Sequence, residues 1–158
     1  MSESSKEYRF YRSDKLVNQF ILEENGVIIF TADFKLTAFK KQFVVRDVKN
    51  EIKAKIVQCI SPILPKFKVI TENQEFIVKR QFSFSPKYTC GNLDWQIISD
   101  YSGYFSYCYD KKGEKVFGLK KHQKKWNEEH TLVVFSEKNI LISFALATVI
   151  HLIKKSMK

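Results

Sequence analysis

Between Phe20 and Phe135 the chain alternates short apolar-rich segments with clusters of turn residues. The segments are QFILE, VIIFTADF, QFVVRD, IKAKIVQCI, KFKVIT, EFIVKRQFSF, KYTC, WQIISDY, YFSYCYD, KVFGLK and TLVVFS. They have strand length and are rich in Val, Ile, Phe and Tyr, side chains that pack well on a pleated surface. The punctuation falls at Glu24–Gly26, Lys49–Asn50, Glu72–Gln74, Gly91–Asn92 and Asp110–Gly113, where Asn, Asp and Gly suit tight hairpins. Helical periodicity is absent from most of this stretch, so the body is expected to be antiparallel β.

A faint internal repeat points the same way. Laying Phe20–Leu36 over Lys68–Phe84 at a constant offset of 48 aligns Asn25 with Asn73, Ile29 with Ile77, and Phe34 with Phe82. A short gap then brings QFVVRD against KYTCGN. Each unit reads as strand, Asn turn, strand, kink, strand. Two such units can share one core, whereas a solenoid needs three or more regular copies.

The last segment, NILISFALATVIHLIKKSMK from Asn139 to Lys158, departs from this pattern. Ser136 and Glu137 supply a side-chain acceptor and a negative charge where a helix would begin, and Lys154, Lys155 and Lys158 supply positive charge where it would end. Apolar residues fall on every side of this helix, so it is buried either in protein or in lipid. Length favours protein: Ile140 to Ile153 spans about 21 Å as a helix, against ~30 Å of bilayer hydrocarbon. Strands that need an apolar partner and a helix that needs cover on all sides suggest a mainly β fold, a closed antiparallel β-barrel around a central hydrophobic carboxyl-terminal helix.

Composition bounds the rest. The 158 residues, 44% hydrophobic and 15% aromatic, suit one packed domain over 1–158, with disorder expected only near Met1 to Lys6. Cys59, Cys90 and Cys108 are odd in number, form no C-x-x-C pair and lie in apolar or aromatic surroundings, so they read as reduced structural thiols of a cytosolic protein. The amino-terminal MSESSKEYRFYRSDK lacks the apolar run of a secretory signal.

The net charge is +10, and Lys111–Lys125 packs seven lysines against one acid. Such a strip attracts the phosphates of nucleic acids or phospholipid headgroups and also acidic proteins. Within it Lys120, Lys121, Lys124 and Lys125 accompany Trp126, and a second cluster sets Lys40 and Lys41 among Phe34, Phe39 and Phe43. Cations with a neighbouring aromatic suit an anionic headgroup at a membrane boundary, or a stacked base. A surface that is merely solvated would carry the same lysines.

No reaction chemistry accompanies them. The chain has no H-x-x-x-H or H-E-x-x-H pattern, no G-x-S-x-G elbow and no glycine-rich phosphate loop. His151 reads as a hydrogen-bonded core histidine, and most aspartates sit at turns. No enzyme, metal or cofactor is expected.

Taken in order, the units ENGVIIFTADFKLTAFKKQFVVRD and ENQEFIVKRQFSFSPKYTCGN, followed by the apolar SEKNILISFALATVIHLIKK, resemble the tubby carboxyl-terminal-like superfamily. The similarity is to its LURP-one-related branch, with phospholipid scramblases more distant, and it covers about Tyr8 to Lys155. The resemblance implies a closed barrel threaded by a carboxyl-terminal helix, generally without catalysis; tubby-like members bind phosphoinositide headgroups through basic side chains. No tubby-type phosphoinositide motif matches residue by residue. The expectation is a monomeric, non-enzymatic binding domain, cytoplasmic or peripheral at the inner membrane face. It would dock on anionic phospholipid through Lys120, Lys121, Lys124, Lys125, Trp126, Lys40 and Lys41. The alternatives are a tail-anchored, scramblase-like membrane protein and a nucleic-acid-binding barrel. Against the last stands the scarcity of arginine, limited to Arg9, Arg12, Arg46 and Arg80.

Overall fold

The computed structural model of the chain describes residues 5–13, 19–37, 40–60, 64–81, 86–100, 104–122 and 129–156. Its twelve strands are β1 (Lys6–Arg12), β2 (Gln19–Glu24), β3 (Val27–Thr37), β4 (Lys40–Asp47), β5 (Ile52–Cys59) and β6 (Lys66–Thr71), then β7 (Glu75–Gln81), β8 (Lys87–Gly91), β9 (Trp95–Ser99), β10 (Phe105–Tyr109), β11 (Lys115–His122) and β12 (Glu129–Val134). Each pairs antiparallel with its neighbours in the chain, and β1 also pairs with β12. The result is a closed up-and-down barrel. A single 3-10 turn at Glu137–Asn139 leads into α1 (Ile140–Ser156).

Alternation along the strands sends one set of side chains inward. Phe10, Phe20, Leu22, Val45, Ile56, Val69, Phe76, Val78, Ile97, Phe117 and Leu132 form one cluster with Phe144, Leu146, Val149, Ile150 and Ile153 of α1. Twelve strands ~4.8 Å apart and tilted ~40° enclose a radius of about 12 Å. A helix with its side chains takes about 5–6 Å of that, which leaves room for a single layer of wall side chains. Phe144 is held edge-on by Phe10 at 5.8 Å and stacked by Phe30 at 6.1 Å. The helix is therefore core, and among the described residues no helix is long and apolar enough to cross a membrane.

The expected turns are present, and all of them lie at one end of the barrel. Asn25 and Gly26, with φ of 49° and 84°, form the two-residue loop between the paired Glu24 and Val27. The β4–β5 and β10–β11 connections repeat one design. The Asp47 carboxylate accepts from the backbone N–H of Lys49 and of Glu51 at 3.0 Å each, and Asp110 accepts from Lys112 at 2.9 Å and Glu114 at 3.0 Å. Asn50 (φ 66°) and Gly113 (φ 83°) occupy the left-handed position of the two turns.

Three expectations need correction. Lys6 lies in β1 and pairs with Glu137 at 2.5 Å, so disorder does not extend to it; residues 1–4 lie outside the described residues. Ser136 makes no side-chain cap, and a 3-10 turn intervenes between it and α1. The internal repeat holds in strand order, and in side-chain phase along β3 and β7, where Phe30 and Val78 both face inward, but not along β2 and β6: Phe20 points inward while its counterpart Lys68 lies on the outer face, and β2 carries a register shift at Leu22/Glu23. Phe82 and Phe84 of that repeat lie outside the described residues.

β1 supplies the last closure. Its outward Arg9 reaches Glu23 of β2 at 3.7 Å and hydrogen-bonds Glu129 of β12, while the Tyr11 hydroxyl donates to Glu23 at 2.6 Å. The three cysteines are unpaired, with Cys90 and Cys108 buried on the inner wall and Cys59 partly exposed. Burial pushes the Cys90 thiol up to about 12 and raises Cys108 as well, which leaves neither as a thiolate near neutrality.

Two measurements check this packing. Phe144→Ala removes the ring at the centre of the cluster and is expected to cost about 3–5 kcal/mol, read as a lowered midpoint in urea unfolding; a loss below about 1 kcal/mol would contradict the enclosed helix. Ellman's reagent at mild alkaline pH should titrate Cys59 alone in the native protein and all three thiols after denaturation. Ready reaction of Cys90 or Cys108 in the native state would contradict the closed wall.

Candidate functional site

An up-and-down barrel has two different ends, and here they differ in charge. The end holding the tight turns carries Glu24, Asp47, Glu51, Glu72, Glu75, Asp94, Asp110, Glu114 and Glu137, nearly balanced by Lys6, Arg46, Lys49, Lys53, Lys111, Lys112, Lys115 and Lys138. The lysines beside them are partly paired: Lys53 lies 3.8 Å from Asp47 and 3.3 Å from Glu51, and Lys68 lies 3.0 Å from Glu75. The opposite end collects Arg12, Lys40, Lys41, Lys66, Lys79, Arg80, Lys87, Lys120, Lys121 and Lys154, with Asp33, Asp100 and Glu129 as the acids nearest it among the described residues. The excess positive charge among the described residues thus gathers at one end of the barrel, while the turn end is nearly neutral.

This arrangement divides the lysine strip read from the sequence. Lys111, Lys112 and Lys115 lie at the turn end, and β11 crosses the wall before Lys120 and Lys121 appear at the basic end. Those two are consecutive in a strand and so face opposite ways. Lys120 is exposed on the outer wall, its Nζ 5.7 Å from the Phe105 ring. Lys121 follows Phe117 and Leu119 on the inner face and pairs across the ladder with the buried His130. Lys40 and Lys41 begin β4 at the same end, and Lys41 is exposed. In the strand order β4 stands almost opposite β11, so the two basic clusters share an end and not a patch. Lys124, Lys125 and Trp126 lie outside the described residues.

Near the basic end the inner wall divides into two arcs. From β2 to β6 it is aromatic, with Phe20, Phe34, Phe43 and Phe67. Phe43 packs on Phe20 at 5.8 Å and on Phe34 at 5.4 Å. From β7 to β11 it is polar. Arg80 extends the inward series of Phe76 and Val78 and pairs with the fully buried Tyr88, whose hydroxyl has no hydrogen-bond partner. Ser99 and Ser106 pair across β9 and β10 with their hydroxyl oxygens 2.5 Å apart, and both are buried. Lys121 completes this arc.

The end of α1 faces the polar arc. Burial lowers the affinity of the Lys154 amine for its proton, the charges of Lys121 and Arg80 lower it further, and Asp100 acts in the opposite direction. Within the barrel at this end, His151 meets Phe20 edge-on at 5.0 Å and His130 at 6.0 Å. Among the described residues no group of three or more His, Cys, Asp or Glu is placed to hold a metal ion.

Sequence reasoning found Lys121 but overlooked Arg80, Tyr88 and Lys154. A usable signal was present: a base two positions beyond buried apolar residues, as in Phe76, Val78, Arg80 and Phe117, Leu119, Lys121, marks the inward face of a strand as it reaches an end. The fold defines a helix-filled antiparallel barrel; in comparisons with known proteins, no family model matches the chain and no curated protein matches it.

Lys154 provides a stability test. Its folded-state proton affinity is lowered, so between the folded and unfolded pKa values the unfolded chain binds more protons, and stability rises with pH across that window. Below the window the charged amine is held at a cost. Lys154→Met should therefore raise Tm at neutral pH, with the difference from wild type shrinking as pH rises toward 10.5. A pH-independent difference, or a loss of stability at pH 7, would contradict the burial and like-charge repulsion described above.

Proposed function

We propose that the protein is a non-enzymatic binding module that docks on anionic phospholipid with the basic end of its barrel, and that it belongs with the LURP-one-related branch of the tubby-like superfamily. The observation that carries the docking reading is the gathering of the excess positive charge at one end of the barrel. Strands of this length hold the ends about 20 Å apart, and the Debye length at physiological salt is ~8 Å. A surface approached by the basic end therefore feels its cations, while the nearly balanced charges of the turn end lie beyond effective range. Each lysine near an anionic leaflet contributes about 1 kcal/mol. On the outer wall near the same end, Ile98 and Phe105 are exposed, and Phe105 lies beside Lys120. An aromatic ring next to a cation suits the headgroup boundary, the part the sequence reading gave to Trp126. The family assignment draws on the sequence resemblance and on a barrel with a carboxyl-terminal helix at its centre.

Flotation with neutral and anionic liposomes across a salt series tests the reading. Wild type should float with anionic vesicles only, and less so as salt increases. Reversing Lys41, Lys79 and Lys120 to Glu should weaken partitioning by about a hundredfold or more. Reversing Lys49, Lys111 and Lys112 at the turn end changes net charge equally and should have little effect. Equal losses from the two sets would reduce the effect to bulk charge, and a preference for oligonucleotides over vesicles would transfer the basic end to nucleic acid.

A further inference from the structure

We propose that docking is sided: the barrel meets an anionic leaflet with the outer wall of β7–β11 near its basic end, and turns the wall of β12 and β1–β3 away from it. This deepens the docking reading and rests on it. Side chains alternate along each strand, so the residues between the buried ones form the outer wall. Toward the basic end that wall presents Lys79 on β7, Lys87 on β8, Ile98 on β9, Phe105 and Tyr107 on β10, and Lys120 on β11. Register makes a patch of them: Lys87 pairs with Ile98, Ile98 with Tyr107, and Phe105 with Lys120, each pair with its Cβ atoms ~5 Å apart. Asp100 is the acid beside this patch among the described residues, and its carboxylate accepts from the backbone N–H of Phe105 at 3.2 Å. The opposite wall differs. Outward positions there hold Glu129 on β12, Glu7 on β1, Glu23 on β2 and Asp33 on β3, with Arg9 set between Glu23 and Glu129.

The patch has an apolar centre and a cationic margin. Ile98 and Phe105 are 41% and 40% exposed, and Lys87 and Lys120 stand on either side of them. The Tyr107 ring lies 3.1 Å from the place a Cβ would take on Gly118, and the Lys115 amine is 4.6 Å from that ring. The tyrosine is thus laid against the wall, which leaves Ile98 and Phe105 as the apolar side chains that reach outward. One strand further on, Lys66 stands directly opposite Lys79 on the outer face of β6 and β7, and neither forms an ion pair among the described residues. Like charges directly opposite cost stability, and an anionic surface relieves that cost. Curvature also fits: β7 and β11 flank β9 by two strands each and lie about 6 Å below its crest in a barrel of this radius, a drop that the long stems of Lys79 and Lys120 span. Cations around an apolar centre match a leaflet, whose acyl chains lie just beneath its phosphates. A nucleic-acid strand would stack on Phe105 but gain little from the aliphatic Ile98.

The test uses the full chain carrying Cys59→Ser, in which the remaining Cys90 and Cys108 are buried. An environment-sensitive fluorophore is attached through Phe105→Cys or, five strands round the barrel at the same end, through Lys35→Cys. With vesicles of phosphatidylserine and phosphatidylcholine, the probe at position 105 should shift to the blue and be quenched by brominated acyl chains, and the probe at position 35 should do neither. In flotation, reversing Lys79 and Lys87 to Glu should weaken binding about thirtyfold or more, and reversing Lys35 and Lys41, two cations of the same end, about threefold or less. Equal responses from the two probes, or equal losses from the two reversals, overturn the sidedness and leave the docking reading standing. A wild type that floats with no vesicle overturns both. A shift at position 105 with a single-stranded oligonucleotide and none with vesicles also overturns the leaflet as partner, and gives the wall to nucleic acid.

Discussion

A helix that is apolar on every side has to be covered on every side, and the whole molecule follows from this. An open sheet would cover one face of α1, yet the consecutive Phe144, Ala145, Leu146 and Ala147, which point to all sides of the helix, are fully buried. Only a closed wall suffices, and closure removes the unpaired edges that make an open sheet prone to association. The last join is made by β1, whose outward Arg9 and Tyr11 tie it to both neighbours through Glu23 and Glu129. The ion pair of Lys6 with Glu137 then links this strand to the turn that starts the helix.

Closure also gives the molecule an axis. The helix enters at the end with the tight turns and finishes at the basic end, where the negative end of its dipole meets Lys154 and partly offsets the cost of burying that amine. The partial compensation is consistent with a base retained where a neutral side chain would pack with less penalty. Conflicts of this kind between local stability and residue choice are expected where a protein binds something.

Much of the fold was legible because its signals are local. Short β-branched and aromatic segments, Asn and Gly at the turns, and a terminal helix without a polar stripe can each be read within a few residues. The turns that could be read all lie at one end, where tight hairpins need special backbone angles such as those of Asn25, Asn50 and Gly113. β1 escaped notice because KEYRFYR is mostly charged, although Tyr8 and Phe10 alternate within it and both are buried. The candidate site was less legible. Lys111 to Lys125 looks continuous in sequence, but a strand carries it from one end of the barrel to the other and turns Lys120 and Lys121 to opposite faces.

By itself, then, the sequence determined the strands, most of the hairpin turns, the enclosed helix and the excess of positive charge, all of which depend on residue type and short-range periodicity. Tertiary structure alone decided which charges are neighbours. Strand register and closure set Arg80 of β7, Lys121 of β11 and Lys154 of α1 into one electrostatic field while separating lysines five to ten positions apart. The physical reason is that a charge acts through space over ~8 Å, and only the paired and closed sheet converts distance along the chain into distance in space.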